Sequence, residues 1–503
     1  MEQFEIWDKQ IKEGKGLLVR KEILKVNHLA ISYRNASVFS DLCRRVGLVN
    51  KGLKALRPHL FLRSGFDQNA SLKLIISYCQ LLLKIGASNL VIETLKDKPD
   101  DKLTTLTLAY ACMTNWQMDQ AKISFVKYIN TYDLTEYETT LAKLNLSGTL
   151  RFLGEINKCQ AMLNSIIESC KKNNWSLILG NCFELMGLTY FDQNDLKTAM
   201  YYFDLSLNLL EKTNDRYNLY VEVWKMLLGL KKSPESQKIS NQLEALKTKS
   251  LNIEELNSVR TIDLYKSIIT KDLDLFRHTL SGTPYLEYRN RAMRISNFKI
   301  SLDKFYNFNI DHSLYKKTKD IVLLDLYTGL LKKPNDKVKK IPKTIHLLFK
   351  SLICDFYRMP MIGQAFCEMF PGEYFNPDVS PRRVYVTAQR LRSWLQQEEV
   401  GLTCKLKNNR LSLISNSKIT CISVCIDTNY FPNMAISEEN ILYQKRLNQM
   451  KTYNVQLWTA KLVSQSLNIS IRSSQYLLKN AVTNGDLVKV KQGKSVFYKI
   501  IKQ

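Results

Sequence analysis

The chain has 503 residues, 45% hydrophobic and 24% charged, the balance of a globular protein with apolar material for more than one core and, at about 100–200 residues per domain, roughly three domains. Lys and Arg outnumber acids 73 to 47, and the net charge of +26 sets up a field that draws polyanions; a lysine-rich composition from an AT-biased genome gives the same excess without any such partner. No run of 18 apolar residues occurs and no apolar segment follows the polar start Met1-Glu2-Gln3-Phe4-Glu5, so neither a membrane span nor a secretory leader is expected.

From about 20 to 300 the apolar residues recur at i, i+3, i+4 and i+7, the helical period. The clearest unit is 180–213, where Phe183, Met186, Gly187, Tyr190, Ala199, Phe203 and Ser206 stand at −4, −1, 0, +3, +12, +16 and +19 from Gly187. Ala109, Cys112, Ala121 and Phe125 repeat the offsets 0, +3, +12 and +16, and Ser147, Leu150, Cys159 and Leu163 do so again, at spacings of 38 and 40. This pattern resembles the tetratricopeptide repeat, in which small residues lie where two antiparallel helices touch. Segments 30–65 and 72–100 look like weaker copies, and beyond 214 the signal fades into amphipathic helices over 253–300. The expectation for 1–300 is a helical-repeat solenoid, because a single helix pair cannot bury its face alone. Its surface is expected to dock a protein or peptide or to form a homodimer.

Residues 301–343 are expected to be a helical end unit and a basic linker, the latter from the lysine- and proline-rich 331–343. Segment 344–416 then predicts helices over 344–358, 362–370 and 381–397, the last with Ser380 as N-cap and Pro381 at the first position, followed by strands 402–406 and 410–414 around Asn408-Asn409. The order of elements and the stretch Arg383–Arg392 resemble the DNA-binding domain of OmpR/PhoB-type response regulators. That resemblance implies a winged helix whose third helix enters the major groove. It makes Arg382, Arg383, Thr387, Arg390 and Arg392 candidates for DNA contacts, with Lys405 and Lys407 on the wing. The family's glycine-containing wing is missing, and no receiver domain precedes the module.

Residues 419–426 alternate as a strand within a connecting segment 417–450. Segment 451–503 predicts a short helix from Ala460, a turn at Leu467-Asn468-Ile469, a second helix capped by Ser470, and a hairpin of 487–491 and 495–500. It resembles the winged helix-turn-helix of bacterial repressors. The resemblance implies base or phosphate contacts by Arg472, Ser473, Gln475 and Lys479, and phosphate contacts by Lys489, Lys491 and Lys494. Tyr476, Leu477 and Leu478 are expected near its core.

Eleven cysteines are scattered, only Cys421 and Cys425 lie close, and the five histidines stand far apart, so buried thiols and no metal or cofactor are expected. Phosphate-loop, H-E-x-x-H and G-x-S-x-G motifs are missing, which argues against an enzyme. The favoured expectation is a cytoplasmic, nucleoid-associated bacterial transcription regulator binding double-stranded DNA. The alternative is an interaction scaffold whose winged helices serve assembly and not DNA.

Overall fold

The computed structural model describes residues 2–12, 15–63, 65–210, 215–253, 255–300, 305–310, 322–333, 337–415, 420–425, 446–447, 449–450, 453, 455, 457–467, 469–483, 486–492 and 495–500. The chain forms two compact units, Met1–Pro432 and Asn433–Gln503. It is mainly α, an α-solenoid with small sheets that, apart from the pair Phe61–Leu62 and Gly65–Phe66, lie toward the C-terminal end.

Antiparallel helix pairs make up the first unit. They are Tyr33–Arg45 with Val49–Leu60, Leu72–Lys84 with Ser88–Leu95, Lys102–Thr114 with Met118–Thr131, Glu136–Leu153 with Ile156–Asn173, and Ser176–Asp192 with Leu196–Leu210. The pairing does not stop where the sequence pattern fades. Asp215–Lys232 pairs with Gln237–Asn252, and Leu256–Ile269 with Leu273–Ser281.

One turn repeats through the array. A residue with positive φ ends the first helix, and the next N–H reaches back five residues to a carbonyl, which satisfies an orphaned helix end. The left-handed positions are Gly47, Gly86, Trp116, Gly154, Asn194 and Lys271. The bonds run from Leu48 to Cys43, Ala87 to Leu82, Gln117 to Cys112, Glu155 to Leu150, Asp195 to Tyr190, and Asp272 to Ser267. Cys112, Leu150 and Tyr190 are the +3 positions of the sequence repeat, so the turn carries the register on to Ser40, Cys79 and Leu264.

The described residues between 305 and 342 form neither the helical end unit nor the linker expected there. Leu330–Lys332 and Lys339–Lys340 are strands of a five-stranded sheet, in the order Phe305–Asn309, Thr420–Cys425, Val322–Asp325, Leu330–Lys332, Lys339–Lys340. All neighbours are antiparallel except Val322–Asp325 with Thr420–Cys425. Leu331 and Ile341, apolar among lysines, point into the core and hold the segment down. The strand expected over 419–426 is seen as Thr420–Cys425, inside this sheet.

The next elements are helices Lys343–Ile353, Ile362–Met369 and Ser380–Gln397, then strands Leu402–Lys407 and Arg410–Ser415, with Asn408 and Asn409 both left-handed in the two-residue turn. Ser380 is already helical, and its hydroxyl accepts from the Asn376 N–H at 2.9 Å instead of capping its own helix. These elements share one core with the early helices, in which Leu53, Leu74, Leu82 and Leu90 pack with Leu348, Phe366, Val384, Leu391 and Leu411. The Tyr78 hydroxyl donates to the Phe375 carbonyl at 2.9 Å, and Phe66 stacks on Tyr374 at 4.1 Å. The division expected near 343 thus falls at Pro432–Asn433.

The second unit holds helices Ala460–Leu467 and Ile471–Thr483 and the hairpin Leu487–Gln492 with Ser495–Ile500. Trp458 and Tyr498 exchange backbone hydrogen bonds of 2.8 and 2.9 Å, around a core of Trp458, Val463, Leu477, Leu478, Ala481 and Leu487.

Candidate functional site

Helix Ser380–Gln397 buries Val384, Thr387, Ala388, Leu391 and Leu395, spaced i, i+3, i+4, i+7 and i+11. Thr387 therefore leaves the contact face on which it was expected. It is 4% exposed, and its hydroxyl donates to the Arg383 carbonyl at 2.9 Å. Arg383 is engaged within the fold. Both guanidinium ends reach the Glu373 carboxylate, and the cation lies 3.7 Å from the centre of the Phe370 ring. The open face keeps Arg382, Arg390 and Arg392 beside exposed Tyr385 and Val386, and Lys405 and Lys407 are exposed on the hairpin.

On helix Ile471–Thr483, Arg472, Gln475 and Lys479 are exposed at i, i+3 and i+7, so they share one face. Lys489 is exposed on the hairpin. Ser473 serves the helix start, its N–H donating to the Ser470 hydroxyl at 3.1 Å and its own hydroxyl meeting that of Ser470 at 2.8 Å. Tyr476 departs from its expected core position and is 60% exposed. Asn468, Lys494 and the Lys491 side chain lie outside the described residues. Over 433–503 the sequence has eleven Lys and Arg against three acids.

A third cluster lies inside the first unit. Helix Leu286–Ser296 lies against the turns of two repeats: Glu287 accepts from the Met118 and Asp119 N–H groups, and Arg294 donates to the Phe152 carbonyl at 2.6 Å. This brings Arg291 beside Tyr265, to whose hydroxyl it donates at 2.7 Å, and 5.3 Å from the centre of the Phe152 ring. Arg151 grips Asp192 at 2.9 and 3.2 Å with its cation over Trp224. Arg260 donates from Nη2 to both Asp355 oxygens, at 2.7 and 3.0 Å, amid Trp116, Tyr285, Tyr288 and Tyr357. Sequence reasoning missed this cluster: Arg151 and Asp192 lie on repeat helices read for their packing offsets, and Arg260 and Arg291 on helices read only as amphipathic. The available signal was Arg289 and Arg291 beside Tyr288 on a helix that buries all three.

Burial pushes the Glu184 carboxyl up to about 7, against the pull of Arg151. A raised carboxyl favours the folded state only while protonated, so its contribution is full below the ordinary value of 4.5 and fades as pH rises toward about 7. Glu184→Gln is expected to match the wild type in acid and to exceed it in stability above pH 7. Urea unfolding at a series of pH values checks this, and an offset that does not vary with pH would sink the assignment.

Among the described residues no group of three His, Cys, Asp or Glu side chains is placed to hold a metal, and no helix is long and apolar enough to cross a membrane. The described cysteines carry no disulfide.

No protein-family model matches the chain, and no curated protein sequence matches it either. Among solved structures, the chain is similar to a Rap protein complexed with competence and sporulation factor. The identity is 13%, the match covers 58% of this chain and 88% of that one, and the TM-score is 0.41.

Proposed function

We propose that this protein is a helical-repeat interaction scaffold whose helix-and-hairpin elements at 343–415 are built into the array as structural and docking surface. The observation that carries this reading is the shared core of those elements with helices 49–95. Consistent with it, the helix that resembles a DNA-reading one has Thr387 buried and Arg383 occupied by Glu373. Exposed Ile123 and Val126 on Met118–Thr131, and exposed Tyr201 on Leu196–Leu210, give the repeats apolar points for a protein or peptide partner or a second copy.

A second reading rests on the charge of 433–503. There the unit acts as a winged helix that binds double-stranded DNA through Arg472, Gln475, Lys479 and Lys489, and the protein is a nucleoid-associated regulator. Fluorescence anisotropy on random duplex DNA across a salt series separates the two. DNA binding predicts a steep salt dependence, and Arg472→Ala, with one fewer cation to pair with a phosphate, lowers its log–log slope by about 1. The scaffold reading predicts no saturable binding near physiological salt and no difference between wild type and variant.

A further inference from the structure

Helix Gly16–Lys25 is held to the first unit by one side only. Val19 and Ile23 are buried in one cluster with Trp7, Phe39, Leu42 and Cys43. Leu17, Lys21 and Leu24, spaced i, i+4 and i+7, share the face turned away from that cluster, with Leu18 and Lys25 beside them. Leu17, Leu18, Leu24 and, just after the helix, Leu29 are 54–79% exposed, and exposed Tyr33 follows. Apolar residues scattered singly over a surface are ordinary, but four leucines within thirteen positions, three of them on one helix, are not scattered.

Positive charge is interleaved with these leucines. Over 15–34 the sequence has Lys15, Arg20, Lys21, Lys25 and Arg34 against a single acid, Glu22. That acid pairs with Lys25 at 2.8 Å. Lys51 reaches the same stretch and donates to the Leu24 carbonyl at 2.7 Å. Lys51 and Lys54 both act on His28; Asp378, which also acts on it, pairs with Arg57 at 3.2 Å. The mixture decides the occupant. Lysine is depleted from the cores of protein interfaces, whereas Lys21 stands between Leu17 and Leu24. A second copy of this chain sets the cationic face against its own charge. An anionic bilayer accepts both components. Leucines enter the boundary of the acyl chains, and lysine stems lie along them while their ammonium groups reach the headgroup phosphates. Helix Gly16–Lys25 has 10 residues, half of the roughly 20 that cross a bilayer, so it lies in the interface plane.

We propose that Leu17, Leu18, Leu24 and Leu29, with Lys21 and Lys25, form a docking surface for an anionic lipid bilayer. The leucines supply the insertion, and the lysines select the charge of the headgroups. The surface is independent of the scaffold and DNA readings.

The test uses the full chain and vesicles of phosphatidylcholine alone or of equal parts phosphatidylcholine and phosphatidylserine, with binding read by co-sedimentation. The wild type is expected to bind the anionic vesicles, and the neutral ones more weakly by about tenfold or more. Leu17→Ser combined with Leu24→Ser leaves the charge unchanged and is expected to weaken binding to anionic vesicles by about tenfold or more, because the inserted side chains are lost. Both positions are exposed, so an unchanged thermal midpoint is expected to show that the fold is kept. Lys21→Gln combined with Lys25→Gln is expected to reduce the preference for anionic vesicles. Ile123→Ser combined with Val126→Ser, an exposed apolar pair elsewhere, and Arg472→Ala are both expected to bind as the wild type does. The proposal is overturned if the wild type does not bind anionic vesicles, or if the leucine variant binds as well as the wild type, which would leave net charge as the whole attraction. It is also overturned if either control loses as much binding as the leucine variant. A wild type that self-associates without vesicles, and a leucine variant that does not, would overturn it in favour of a second copy on this face.

Discussion

Arg260→Ala is expected to lower the unfolding free energy of the first unit by about 3–5 kcal/mol, the cost of removing one partner of a buried pair. Arg260 is 2% exposed, and its Nη2 donates to both oxygens of Asp355, itself buried. Removing the guanidinium strands the Asp355 charge among Tyr357, Tyr285 and Tyr288 and empties the centre of four rings. The Arg260 Nε and Nη1 atoms have no hydrogen-bond partner, so the rings and Asp355 are what compensate the cation. Urea unfolding of Arg260→Ala, Asp355→Asn and the double variant checks this. The double variant is expected to be less destabilised than the two single effects added together, because no charge is left stranded. Strict additivity would show that the pair does not act as a unit.

Phe203→Ala is expected to cost about 3–5 kcal/mol, as large-to-small changes in a packed core do. Phe203 is fully buried, and its ring lies where a Cβ on Gly187 would come within 2.6 Å. Gly187→Ala is accordingly expected to cost about 1–3 kcal/mol by overpacking. The two changes compensate. A methyl at 187 enters the space the ring vacates, so the double variant is expected to be more stable than the sum of the singles predicts. A cycle without coupling would mean that these residues do not define the close approach of helices Ser176–Asp192 and Leu196–Leu210.

The Gly187–Phe203 contact shows what was legible in the sequence. The offsets at 109, 147 and 187 each lie inside a helix pair, and at 187 the small residue meets a large one across it. Helices and hairpins over 343–415 and 460–500 were legible too, from helical period, proline and paired asparagines. Past 214 helices were expected but the repeat register was not legible, because it lives in backbone hydrogen bonds. Lys271 takes the left-handed turn position that Gly154 fills elsewhere, and lysine gives no hint of positive φ. The fate of 331–343 was hidden for a related reason: two apolar residues among many lysines suffice for a sheet edge when a core is waiting. Candidate contact residues were read from resemblance, which named side chains without showing which were already occupied, as Arg383 and Thr387 are.

The shared core that joins residues 49–95 to 345–411 has a consequence for biosynthesis. Helices near the N-terminus leave the ribosome long before the segments that cover them exist. At about 5–20 residues per second the wait is on the order of tens of seconds. During that interval Leu74, Ile75, Leu82 and Val91 lack part of their native cover, and a nascent chain in this state is a natural client for a holding chaperone. An open stack of repeats could mature one neighbour at a time, whereas this chain completes its oldest helices only when almost all of the first unit has been made.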